Sequence, residues 1–90
     1  MKESDRIILT KVAPYIEAVA IDILGDYNPL LTWAQMGCDD LDIVEIVMKL
    51  EVVANVSIDD ELATLYFDMG QTPQIFRKYL REEAIKKVLE

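Results

Sequence analysis

The stretch Met36 to Leu50 constrains this chain most, because its apolar residues recur at helical spacing between clear start signals. It reads Met-Gly-Cys-Asp-Asp-Leu-Asp-Ile-Val-Glu-Ile-Val-Met-Lys-Leu, a loop turning into a helix, with Gly37 as the flexible point. Asp39 or Asp40 is the cap, since a carboxylate at a helix start accepts free backbone N–H groups and suits the positive end of the dipole. At 100° per residue, Ile43, Ile46, Val47, Leu50, Val53 and Ala54 fall on one face, which is core spacing. A second, narrower stripe carries Leu41, Val44, Met48 and Val52, with Asp40 and Glu51 on one side and Asp42 and Glu45 on the other. One core contact does not use that much apolar surface.

The rest of the chain is also helical in pattern, and no strand alternation appears. Asp5 to Leu24 places Ile8, Val12, Ile16, Val19, Ala20 and Ile23 on one face. Pro14 interrupts it by removing the bond to the carbonyl of Thr10; either the helix bends there or its regular part begins near Ala13. Gly25 is a natural stop. Asp26 to Gln35 is a loop, and Leu30, Leu31 and Trp33 are apolar enough to fold back onto the bundle. The second helix is expected over about Asp40 to Ala54, and a short third from Asp59 to Leu65 or Tyr66. A last helix is expected from Pro73 to about Val88, with Ile75, Phe76, Tyr79, Leu80, Ala84 and Val88 inward. Met36, Leu41, Val47, Ile58, Leu62 and Tyr66 read mostly as core. The expected fold is all-α, a small four-helix bundle of three long helices and one short one, in a single domain spanning residues 1–90.

Composition removes several function classes. There is no histidine, so His-based catalysis and His metal sites are excluded, and the single Cys38 allows no internal disulfide. The net charge of −8 argues against nucleic acid, which needs a basic face, and fits a partner with a basic patch. The charge is uneven: residues 1–74 hold 14 acids and 4 bases, residues 75–90 hold 3 acids and 5 bases. The longest apolar run, Ala18-Val19-Ala20-Ile21, is far too short to span a membrane, and the charged N-terminus has no signal-type apolar core. A cytoplasmic protein is the expectation.

The segment Met36-Gly37-Cys38-Asp39-Asp40-Leu41-Asp42, continuing Ile43-Val44-Glu45-Ile46-Val47-Met48-Lys49-Leu50-Glu51, resembles the signature of the acyl carrier protein family. That signature is Leu-Gly-x-Asp-Ser-Leu-Asp followed by an apolar and acidic helix. The match is close over about sixteen residues, and Ile58-Asp59-Asp60-Glu61 resembles the family's Ile-Pro-Asp-Glu. The resemblance implies a carrier-like four-helix bundle and a link to fatty-acid, polyketide or related acyl metabolism. The chain departs from the family at Thr32-Trp33-Ala34-Gln35, where Phe-x-x-Asp is common, leaving Trp33 or Leu31 as the anchor; Asp59 replaces a proline.

The largest departure is Asp40, which stands where the family's serine carries the phosphopantetheine arm. A serine forms a stable phosphodiester; a carboxylate would form an acyl phosphate, which hydrolyses easily. The resemblance therefore implies a non-catalytic carrier-like protein without arm or other cofactor. The alternative is a genuine phosphopantetheine-dependent carrier in which an engineered Asp replaces the serine at position 40. Asp39, Leu41, Asp42, Val44, Glu45, Met48 and Glu51 then correspond to the family's partner-docking face, unless the third helix covers this stripe. Asp39, Asp40 and Asp42 lack the spacing of a calcium loop and read as a solvated acidic cluster, so no metal site is expected. Cys38 reads as a small packed side chain.

Overall fold

The computed structural model describes residues 3–75 together with Lys78, Arg81, Glu82 and Ile85. Among the described residues the chain is helical and contains no strand. Its elements are α1 (Glu3–Val12), a 3₁₀ turn (Ala13–Tyr15), α2 (Ile16–Leu24), α3 (Asp40–Ala54) and α4 (Asp60–Tyr66). The first predicted helix is thus α1 and α2 in sequence; the second is α3 and the short third is α4.

Pro14 acts as its chemistry requires. It has no N–H to donate, so the α-helical ladder tightens into the 3₁₀ turn over Ala13–Tyr15 and resumes at Ile16. Gly25 stops α2 in the left-handed conformation, at φ +80°, and donates its N–H to Ile21 O at 2.8 Å. α3 ends on Asn55, also left-handed at φ +54°. The Asn55 N–H reaches Val52 O at 3.3 Å and the Val56 N–H reaches Glu51 O at 3.1 Å, the paired closure of a Schellman motif.

α3 packs against α1, the 3₁₀ turn and α2. The core contains Leu9, Val12, Ile16, Val19, Ala20, Ile46 and Leu50 from these elements, and Ile58, Leu62, Tyr66 and Phe67 from α4 and its flanks. Of the predicted faces, Ile8, Ile23, Ile43, Val47 and Ala54 are half-buried against that core, while Leu9, not named on the predicted face, is fully buried. Val53 is a correction: it lies at the edge of α3 and is 46% exposed. Leu41 is likewise on the surface rather than in the core.

The loop between α2 and α3 folds back through Trp33, which is completely buried, whereas Leu30 points outward and corrects the expectation that it packs. Trp33 serves as the anchor, with its ring beside that of Phe67. Two backbone bonds fasten the same loop to the chain after α4: Trp33 N–H to Gln71 O and Ala34 N–H to Met69 O, both 3.0 Å. The indole Nε1 of Trp33 is buried and has no hydrogen-bond partner among the described residues.

The predicted helix Pro73–Val88 lies mostly outside the described residues, including its inward Phe76, Tyr79, Leu80, Ala84 and Val88. Within them, Ile75 packs against the core and the Lys78 N–H donates to Gln74 O at 3.1 Å, a helical bond. No described helix is long and apolar enough to cross a membrane.

Candidate functional site

The site is built on the first three turns of α3. Gly37 turns the chain into the helix at φ +87°, a conformation that costs glycine little. Asp39, not Asp40, is the N-cap: its Oδ1 accepts the Asp42 N–H at 2.8 Å, and Asp42 Oδ2 accepts the Asp39 N–H at 3.1 Å. This reciprocal pair is a capping box, with Asp in place of the usual Glu at the third position. Asp40 is therefore the first residue of the helix rather than its cap, and its carboxylate is exposed.

The narrow stripe is open to solvent along its length. Leu41 is 67% exposed, Val44 51%, Met48 59% and Val52 79%. α4 does not lie over the stripe. It lies beside it, across an open groove of about 290 Å³ bordered by Ile43 and Val44 on one side and Ala63 and Phe67 on the other.

The acids around the stripe divide into two groups. Asp40 and Glu45 are exposed, with no hydrogen bond of their side chains to the rest of the described chain. Asp39 and Asp42 are committed to the cap, and Glu51 is half-buried, its Oε2 accepting the Ile58 N–H at 2.9 Å. None of these five forms an ion pair among the described residues. Lys49, the one base on α3, follows Glu45 by one helical turn and pairs with Asp22 of α2.

Cys38 sits beneath the cap, buried, with its Sγ 3.7 Å from Asp39 O. Burial, reinforced by the fields of Asp42 and Asp39, pushes its thiol up to about 11. It is therefore a neutral thiol near pH 7, consistent with a packed side chain rather than a nucleophile. Among the described residues no three His, Cys, Asp or Glu side chains come together as metal ligands.

Three features of this region were not anticipated from the sequence. These are the reciprocal Asp39–Asp42 bond, the tie from Glu51 to Ile58, and the groove flanking Val44. The capping box was readable in principle from two Asp residues three apart before an apolar run. The other two depend on how the chain after α3 folds back.

No protein-family model matches the chain, and no solved structure matches it at a significant level.

Proposed function

We propose that this chain is a carrier-like four-helix bundle without a phosphopantetheine arm, which works by docking α3 against a partner protein of acyl metabolism in the cytoplasm. The observation that carries this reading is the exposed stripe Leu41, Val44 and Met48, set among Asp40, Asp42 and Glu45. Soluble chains ordinarily cover a contiguous apolar stripe, and one rimmed by charge marks an interaction surface. Unbranched Met48 adapts to varied grooves. The acids steer a basic partner toward the face and raise the association rate, an effect that weakens as salt screens it.

The residue at the arm position points the same way. Asp40 cannot hold a phosphopantetheine group durably, and Ser57 and Ser4 stand in other parts of the chain. With no histidine and a buried, neutral thiol, the site offers recognition rather than group transfer.

The test begins with a partner captured on the intact protein and identified by mass spectrometry. Val44→Arg and Met48→Arg should abolish its binding while circular dichroism remains that of the parent, because a charge replaces an exposed apolar contact. Glu45→Lys should mainly slow association and flatten the salt dependence. A Met48→Arg protein that unfolds would place this stripe in the core and end the docking reading.

A further inference from the structure

The groove between α3 and α4 combines two chemistries. Its deeper part is apolar: Phe67 is buried, and Ile43 and Met69 are half-buried. Its edges carry two carboxylates, the exposed Asp40 at the start of α3 and the exposed Asp68 just after α4. Neither forms an ion pair among the described residues, and the Asp68 carboxylate accepts the Gly70 N–H at 3.2 Å. Among the described residues no base lines the groove.

Size narrows the occupant. At about 290 Å³ and open to solvent, the groove stands at the small end of ligand-sized clefts, which begin at roughly 300 Å³, and it has room for one long side chain. A cationic head on an aliphatic stem meets both chemistries at once: the stem covers the apolar part while the head stays wet beside the carboxylates. Val44 belongs both to this groove and to the exposed stripe, so whatever lies on the stripe reaches directly into the groove.

We propose that the groove between α3 and α4 receives one arginine or lysine side chain of the docking partner, its stem against Ile43, Val44 and Met69 and its head between Asp40 and Asp68. This rests on the docking role of α3 and adds to it a specific anchor. It also gives the arm-less position a use: Asp40 supplies part of the charge that selects the partner.

The test uses a side-chain analogue and needs no partner. The full chain is titrated with n-butylguanidinium while backbone amide resonances are followed by NMR, with n-butanol and guanidinium chloride as separate controls. Shifts should concentrate on Ile43, Val44 and residues 67–69, and neither control should reproduce them at the same concentration. Asp40→Asn and Asp68→Asn should each weaken the analogue roughly two- to five-fold, the effect of one partly exposed ion pair, and the double substitution should weaken it further. Both are exposed and Asn keeps a side-chain oxygen, so the fold should persist. Equal shifts with n-butanol, shifts spread over Asp59–Glu61 as much as over the groove, or indifference to the double substitution would each overturn the assignment. The docking role fails separately, through partner binding that survives Val44→Arg and Met48→Arg.

Discussion

The ring of Trp33 lies 6.5 Å from that of Phe67, inclined to it by 32°. Neither belongs to a helix, yet both are completely or almost completely buried. The pair joins the loop before α3 to the chain after α4. It also buries an indole N–H that has no partner among the described residues. A buried donor left unpaired costs about 1–3 kcal/mol, so this tryptophan contributes through its size and not its hydrogen bond. Trp33→Ala should therefore destabilise the protein by about 3–5 kcal/mol in denaturant titration. Trp33→Phe should cost much less, because the smaller ring loses volume but also removes the unpaired N–H. A Trp33→Phe protein as unstable as Trp33→Ala would mean that the indole N–H is paired in solution.

The cap should be Asp39 by measurement as well as by geometry. Asp39→Ala removes one half of the capping box and should cost on the order of 1 kcal/mol, whereas Asp39→Ser should recover most of it. Asp40→Ala removes only a favourable charge from the first turn and should cost a few tenths of a kcal/mol. Denaturant midpoints for the three variants decide, and equal losses for Asp39→Ala and Asp40→Ala would shift the helix start by one residue.

The thiol of Cys38 should be slow to react. With its folded value raised from 9.0 to about 11, it remains protonated at pH 8, where an ordinary cysteine is already partly thiolate. Labelling by a disulfide reagent should be slow in the native protein and fast in denaturant. The linkage runs with a definite sign. The folded state holds this proton more tightly than the unfolded chain, so its stabilising contribution is complete below about pH 9 and is lost as pH rises toward about 11. Cys38→Ala should lack that alkaline component; an identical pH profile in both proteins would show that the thiol is not protected.

Position 40 separates the armless reading from that of an engineered carrier. Incubated with coenzyme A and a broad phosphopantetheinyl transferase, the protein should keep its mass. Asp40→Ser changes an exposed residue one position inside the cap, so the fold should be retained. If the surrounding motif remains competent for the transferase, this variant should gain one phosphopantetheine group. A gain by the parent protein would remove the armless reading outright.

The helices were legible where period alone decides. The bounds of α3 and its exposed stripe follow from a clean 3.6-residue repeat between Asp and Asn. Leu9 stands three residues before Val12 and seven before Ile16, so the same repeat places it inward beside them, and it is fully buried. Val53 looked inward by phase, but it sits at the edge of α3 where no described side chain closes over it fully. Asp39 and Asp40 are the same residue type one step apart, and only the backbone angles at Asp39 decide between them. Phe67 and Trp33 lie in segments without periodicity, so their burial is a tertiary matter. The same holds for the groove, which exists only because α4 settles beside α3.

α4 has only seven residues, about half of what a helix needs to persist alone in water. It must therefore form while docking, and the bonds from Trp33 and Ala34 to Gln71 and Met69 close only at that step. Closing bonds between residues so distant in sequence costs more loop entropy than bringing together the neighbouring helices α2 and α3. Any fluctuation that opens this clasp releases α4, dissolves one wall of the groove and bares Phe67, while the α2–α3 pairing can survive. The amide protons of Trp33 and Ala34 are unprotected by that opening, and their exchange with solvent reports the free energy that keeps the groove in being.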